Sequence, residues 1–104
     1  MTDRTGPHAD LLHQRLAMVA NLSALTASAL KLTQSLAGTE LDILRLELEI
    51  GRDGAAEELV RELRGIEGKA EAIRATQAQI DETIAKAEHA VAEIDTLLAA
   101  GNGT

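Results

Sequence analysis

The chain has 104 residues, a net charge of −7 and neither an aromatic residue nor a cysteine. A chain of this length forms one domain at most. Binding to phosphate backbones needs clustered Lys and Arg, which a negative net charge does not favour. We therefore expect no nucleic-acid partner. The absence of cysteine excludes disulfides, thiolate chemistry and Cys-based metal sites.

The composition favours an all-α fold. Apolar side chains come mainly from Leu, Ile and many Ala. Leu and Ala are strong helix formers, and Ala lets helix axes approach closely. The β-branched residues occur singly and not in alternating runs, so strands find no support. The single proline, Pro7, lies near the N-terminus and interrupts no helix downstream.

The first predicted helix begins at Pro7, a residue that suits the first helical position. Thr5 or Gly6 is placed to cap this helix, and Asp10 brings negative charge to the positive end of the helix dipole. We expect this first arm of the fold to cover about residues 7–50.

Two rows of apolar residues run along the first arm. The first row, called the stripe, is Leu22, Leu25, Ala29, Leu32, Leu36, Thr39, Ile43, Leu46 and Ile50. The second row is Leu30, Ala37, Leu41, Leu44 and Leu48. Together the two rows are wider than one antiparallel helix can cover, so a second chain is expected to cover the rest.

A turn is predicted at 51–54, near the middle of the chain. Gly51 is suited to the left-handed conformation that ends a helix, and Asp53 is suited to cap the next helix. The second arm is then expected over about residues 54–100, followed by a tail, 101–104, that should fray.

The second arm carries a single stripe whose steps alternate between four and three residues. Its members are Leu59, Leu63, Ile66, Ala70, Ile73, Gln77, Ile80, Ile84, Ala87, Val91, Ile94 and Leu98. Gln77 is the one polar member. Such a sustained 3.5-residue repeat predicts a left-handed coiled coil. Glu57 with Arg61, and Glu82 with Lys86, supply i,i+4 ion pairs on the outer face.

Three glycines fall inside the predicted arms. Gly38 precedes Thr39 and Asp42, which resembles a new helix cap, so a break at Gly38 that gives three helices is an alternative. Gly65 and Gly68 each cost a helix about 1 kcal/mol relative to Ala. Because the heptad phase continues unchanged through all three positions, we favour continuous helices.

The candidate metal ligands do not combine into a site. Di-iron bundles use Glu-x-x-His on two helices, and the sequence has this spacing once, with a shorter acid, at Asp10 and His13. His89 and Glu93 share a helix face, and we interpret them as a solvated pair. We therefore expect neither a metal nor another cofactor.

The candidate nucleophiles are also isolated. Ser23, Ser28 and Ser35 have no nearby His in the sequence, and a nucleophilic serine needs a base and an oxyanion hole. We interpret these serines as small packing residues. The sequence therefore predicts a protein that is not an enzyme.

The stretch from Leu16 to Ala37 is long enough to span a membrane and carries one charge, Lys31. Asn21 and several Ser and Thr make it too polar for a favoured span. The N-terminal residues lack the apolar core of a signal peptide, so a cytoplasmic location is expected, with export without a cleaved signal left open.

The chain resembles the small type VII secretion substrates of the WXG100 class in its general features. These proteins are acidic, cysteine-free, of about this length, and form helical hairpins that dimerise. The turn at 51–54 has no Trp, so the motif that names the class is missing. For the class's tail signal, Tyr-x-x-x-Asp/Glu, the sequence offers only His89 to Glu93. The resemblance implies a secreted hairpin, as an alternative function.

We therefore predict a single all-α domain over residues 1–104, a long antiparallel helical hairpin of the coiled-coil type. Two hairpins are expected to pair into a homodimeric four-helix bundle, which would bury both rows of the first arm. The predicted function is non-enzymatic protein–protein interaction, as an adaptor, assembly subunit or small chaperone with an unidentified partner. A coat on a lipid or polymer surface is a further alternative. The predicted association residues are Leu30, Leu41, Leu44 and Leu48.

Overall fold

The computed structural model describes residues 6–102. Within that range the chain is all-helical, with α1 at Pro7–Asp53 and α2 at Glu57–Asn102. The two helices pack as a hairpin, which confirms the predicted helical hairpin. Two compact units are distinguishable along it. One is residues 29–79, and the other joins the described residues up to Ser28 with those from Ile80 onward.

Helix α1 begins where the sequence predicts. Pro7 is its first residue, and the Asp10 N–H donates to the Gly6 carbonyl at 3.1 Å, so Gly6 occupies the capping position. The other proposed cap, Thr5, lies outside the described residues. The helix is continuous over 47 residues and passes through Gly38, so the alternative of three helices is wrong.

The turn lies three residues later than predicted. Helix α1 continues through Gly51 to Asp53, and the left-handed residue is Gly54, with φ of 94°. The Gly54 N–H still donates to the Ile50 carbonyl at 2.9 Å, which closes the last turn of α1. Gly51 keeps its place in the helical hydrogen-bond ladder because Gly54 provides the conformation that reverses the chain.

Helix α2 starts without the predicted cap. Asp53 belongs to α1, and the residue whose carbonyl accepts the Val60 N–H, at 3.0 Å, is Ala56. Alanine has no side-chain acceptor for the first amides. The helix opens instead with Glu57 and Glu58, whose charges favour the positive end of the dipole.

Helix α2 also extends past its predicted end. It includes Gly65, Gly68 and Gly101, and it ends at Asn102. The part of the predicted frayed tail at 101–102 is therefore helical, while residues 103–104 lie outside the described range. Glycine lowers the stability of a helix but can adopt the helical conformation, so Gly101 does not end α2 by itself.

The stripes predicted from the sequence form the inner faces of both helices. Every stripe residue of α1 and α2 is buried or half-buried. Outside the predicted stripe, Val60 and Ala90 are the α2 residues that share this protection. No large side chain among the described residues is fully buried, so the core is a thin layer between two helices.

In the unit of residues 29–79, Leu46, Ala70 and Ile73 are buried. Thr39 is buried beside them, and its hydroxyl donates to the Ser35 carbonyl at 2.9 Å. Its polar group is therefore satisfied within its own helix.

Polar residues also cross between the helices of this unit. The Gln77 amide donates to the Thr33 hydroxyl at 3.3 Å, so the one polar stripe residue of α2 has a partner in α1. Arg74 pairs with Glu40 at 3.4 Å at the edge of the same interface.

In the other unit, Ala87, Ile94 and Leu98 form the buried layer. Arg15 Nε donates to Asp95 Oδ1 at 2.6 Å across the two helices. This hydrogen bond and the charge of Asp95 raise the pKa of the Arg15 guanidinium.

The α1 stripe reaches further toward the N-terminus than the sequence analysis placed it. Leu11, Arg15 and Met18 continue the four-and-three spacing before Leu22, and all three are half-buried. The charge of Arg15 hid this extension, because an arginine at a stripe position interrupts an apolar pattern.

Candidate interaction surface

The second row is exposed along its whole length. The exposed fractions are 58% for Leu30, 67% for Leu41, 52% for Leu44 and 65% for Leu48. Ala37, between the first two, is exposed as well. All four predicted association residues therefore lie on the surface of the 29–79 unit, with large apolar side chains in contact with solvent.

The second row lies on the back of α1. Successive helical residues turn by about 100°, which places the centre of the second row roughly 150° from the centre of the α1 stripe. Helix α2 covers the stripe, so it is on the opposite side of α1 and does not cover the second row. Helix α1 consequently has two apolar faces, one used within the chain and one unused.

Charged residues border the second row on both sides. Glu40 and Glu47 precede Leu41 and Leu48 and lie on one flank. Helical rotation places Lys31, Arg45 and Arg52 on the opposite flank. These flanks were not predicted from the sequence, although a charge one residue away from each leucine was a signal for them.

Three of the flanking charges have ion-pair partners within the chain, two with partners nearby in the sequence and one with a partner on α2. Arg45 pairs with Asp42 at 2.7 Å, Arg52 with Asp53 at 3.5 Å, and Glu40 with Arg74. The Arg45 and Arg52 side chains are largely exposed, which is typical of weak, exchangeable ion pairs.

A smaller group of exposed apolar residues lies in the other unit. Its members are Leu12, Leu16, Val19 and Leu97, of which Leu16 is the most exposed, at 69%. The first three follow i, i+4, i+7 spacing, which the sequence analysis did not use. Leu97 also lines a cleft of about 470 Å³ at the end of this unit, together with Pro7, His8, Leu11 and Gly101.

The candidate metal ligands remain apart. His89 Nε2 and Glu93 Oε1 are 3.1 Å apart, with both side chains exposed, as expected of a solvated pair. Asp10 and His13 are both exposed near the start of α1. Within residues 6–102, no three His, Asp or Glu side chains come together as a metal-binding group.

The three serines do not pack in the core. Ser23, Ser28 and Ser35 are all exposed, so their interpretation as packing residues is wrong. Each stands one residue from a stripe position or on the back of α1, so the helical rotation turns it away from α2.

Helix α1 contains a window of 18 residues with a mean hydropathy of 1.3, and none of this window is buried. By length and composition alone, such a helix could cross a membrane. One helix of this kind is weak evidence for a span.

The comparisons with protein-family models, curated proteins and solved structures find no match to this chain.

Proposed function

We propose that the chain is a protein–protein interaction module that acts through the second row of α1, as an adaptor, assembly subunit or small chaperone. The observation that carries the proposal is the exposure of Leu30, Leu41, Leu44 and Leu48, each by more than half, on the face of α1 opposite α2. The proposal includes the expectations that the chain is not an enzyme and that it acts in the cytoplasm.

The energetic argument rests on the clustering of these leucines. Single exposed leucines are ordinary on protein surfaces, but a contiguous apolar row with charged borders is typical of an interaction site. Full burial of an exposed leucine side chain contributes about 1.5–3 kcal/mol, and these leucines, exposed by half to two-thirds, would gain about half of that each. Leu41, Leu44 and Leu48 lie within two helical turns of one another and can be buried by one partner helix.

The partner that we propose is a second hairpin, giving a homodimer of four helices. Support comes from the thin core of the hairpin, since no large side chain among residues 6–101 is fully buried. Small single-layer cores are marginal in stability, and association adds the missing burial. In that assembly the helices would pack in the manner of a coiled coil.

The test uses a double variant in which both Leu44 and Leu48 are replaced by glutamate. Sedimentation at micromolar concentration should show a dimer for the parent chain and a monomer for the variant, with helicity partly retained in circular dichroism. The matched control is Leu12→Glu with Leu16→Glu, two exposed leucines that are also four residues apart but lie outside the second row.

Two results together would refute the proposal. The Leu44/Leu48 variant would have the same oligomeric state as the parent chain, and it would bind every host-extract protein that the parent chain binds. Loss of association in the Leu12/Leu16 control alone would move the interaction surface to the other unit of the molecule.

A second candidate function is a coat on a lipid or polymer surface. The observation in its favour is the accessible 18-residue apolar window of α1. Co-sedimentation with vesicles or granules distinguishes the two functions, because a chain whose leucines are buried against another protein stays in the supernatant.

A further inference from the structure

We infer that the second row joins two copies of this chain with their α1 helices parallel and in register, as a coiled coil along residues 30–52. This inference rests on the proposed function, including its homodimer, and adds the orientation and register of the two copies. Three features of α1 support it: the spacing of the exposed residues, the signs of the charges beside them, and one polar residue within the row.

The exposed residues on the back of α1 follow a heptad of their own. Beginning at Leu30, steps of four and three residues alternate without interruption. The positions reached are Leu30, Gln34, Ala37, Leu41, Leu44, Leu48 and Gly51. All of them are exposed, and this repeat is the spacing of a two-stranded coiled-coil interface. The back of α1 is therefore patterned for a helix, and not for an irregular partner.

The charged flanks specify a parallel partner. In a parallel coiled coil with this heptad, the residue directly before Leu41 or Leu48 in one helix faces a residue of the other helix. That residue lies five positions later in the sequence. This rule sets Glu40 opposite Arg45 of the second copy and Glu47 opposite Arg52 of the second copy. By two-fold symmetry each pair occurs twice, so four attractive pairs border the leucines.

An antiparallel arrangement reverses this agreement. There, flanks of the same kind face each other, so Glu40 and Glu47 would meet glutamates, and Arg45 and Arg52 would meet arginines. The same charges that favour the parallel pair thus disfavour the antiparallel one.

Gln34 gives an independent reason for the parallel register. In a parallel pair, Gln34 faces its own copy, so the two amides can hydrogen-bond to each other, and a polar core residue of this kind fixes register. An antiparallel pair that sets Leu41 against Leu44 places Gln34 opposite Gly51. It also sets Leu48 against Ala37, which loses a leucine–leucine layer.

The parallel pair is compatible with the hairpin within the 29–79 unit. Because the second row is roughly 150° from the α1 stripe, the second copy approaches from the side opposite α2. The two α1 segments would then be central and the two α2 segments peripheral, so the four helices form a layer and not a square bundle. The second copy competes with the weak ion pairs that the flanking residues make within the chain.

Disulfide trapping in the full chain tests the orientation, and the absence of natural cysteine makes it clean. The two single variants are Gln34→Cys and Gly51→Cys, and a Cβ added at Gly51 meets nothing within 4 Å. A parallel, in-register pair links each variant to itself under mild oxidation. It does not link the two variants to each other, because their positions are about 25 Å apart along the helix and a disulfide needs Cα atoms within about 7 Å.

A charge exchange tests the role of the flanks. The variant Glu40→Arg, Glu47→Arg, Arg45→Glu, Arg52→Glu keeps the net charge and restores four attractive pairs in its own parallel dimer. When it is mixed with the tagged parent and re-equilibrated, parallel pairing sets like charges together in the hybrid. Since each surface pair is worth about twofold, native mass spectrometry should show the hybrid depleted roughly tenfold below the statistical fraction.

Three results would overturn the inference: a disulfide formed only between the Gln34→Cys chain and the Gly51→Cys chain, a hybrid enriched above the statistical fraction, or a parent chain that stays monomeric at micromolar concentration. The first two indicate antiparallel copies and leave the proposed interaction function standing. A monomer that loses a bound host protein when Leu44 and Leu48 are replaced also leaves that function standing, with a different partner. A monomer that binds vesicles instead favours the coat.

Discussion

The outer sides of α1 and α2 in the 29–79 unit differ sharply, although their inner sides are alike. The stripe of each helix is protected by the other helix. On its outer side α1 exposes four leucines by more than half, whereas the exposed residues of α2 in this unit are charged residues, glycines, alanines, one threonine and one glutamine. Helix α2 is an ordinary amphipathic helix, and α1 is apolar on two faces.

This difference separates the requirements of folding from those of association. One apolar face per helix suffices to form a hairpin. A second apolar face adds nothing to the fold of the single chain and increases its risk of aggregation. The presence of that face on one helix alone is the reason why we propose an interaction surface on the outer side of α1.

The largest expected effect comes from the inner side of α1. Leu46 is 5% exposed, so Leu46→Ala removes buried contacts and leaves a cavity in the thin core. The free energy of unfolding should fall by about 2–5 kcal/mol. A small domain has about 5–15 kcal/mol in total, so chemical denaturation followed by circular dichroism should show a large shift of the midpoint.

The control for Leu46→Ala is Leu16→Ala, on the same helix at a leucine that is 69% exposed. Its effect should stay within about 0.5 kcal/mol, because exposed side chains have few contacts to lose. Equal losses in the two variants would show that the inner and outer sides of α1 are not energetically distinct.

The glycines provide the next largest contrast. Gly54 has φ of 94°, so Gly54→Ala should destabilise the hairpin by about 1–2 kcal/mol. Gly65 and Gly68 lie on the outer side of α2, where an added Cβ meets nothing within 4 Å. Replacing either by Ala should stabilise the chain by up to about 1 kcal/mol through helix propensity.

Thermal unfolding of the three glycine variants measures both signs at once. A loss of stability in Gly65→Ala or Gly68→Ala would mean that the outer side of α2 is covered by another molecule, which would weaken the contrast between the two helices.

The inner faces were predictable from the sequence because burial between two helices imposes a 3.5-residue repeat of apolar residues. A repeat of this length remains recognisable when a single member is polar. Leu59 through Leu98 kept this period over the whole of α2, and every member is protected. The pattern failed where a charged residue takes an inner position. Arg15 is such a residue, and its partner Asp95 lies 80 positions away, beyond the reach of any local pattern.

The turn shows a different limit. Gly51 and Gly54 both permit a left-handed conformation, and sequence alone does not decide between them. In the structure α1 continues through Gly51, and Gly54 adopts the positive φ at which the chain reverses. The second row was identified from the breadth of the apolar pattern in α1, but its position opposite α2, and the flanks beside it, follow from helix geometry.

A smaller effect is expected at the polar member of the α2 stripe. Gln77 is half-buried, and its amide donates to the Thr33 hydroxyl. Gln77→Leu should raise the free energy of unfolding by about 1 kcal/mol, because a polar residue in such an interface costs stability. The control is Ala78→Leu on the exposed side of α2. Denaturation that shows equal gains for both would mean that Gln77 does not belong to the inner face.

The smallest expected effect links the inner and outer sides of α1 through Glu40. Its carboxylate pairs with Arg74 at 3.4 Å, and both side chains are about half exposed. Arg74→Gln should therefore lower the free energy of unfolding of the single chain by only about 0.2–1 kcal/mol. The same change releases Glu40 for Arg45 of a second copy, so self-association should tighten by up to about twofold. In this one variant the affinity of self-association, measured by sedimentation, should rise while the free energy of unfolding, measured by denaturation, should fall. Weakening of both would show that Glu40 serves the hairpin alone and that the outer flank of the leucines is not part of an interface.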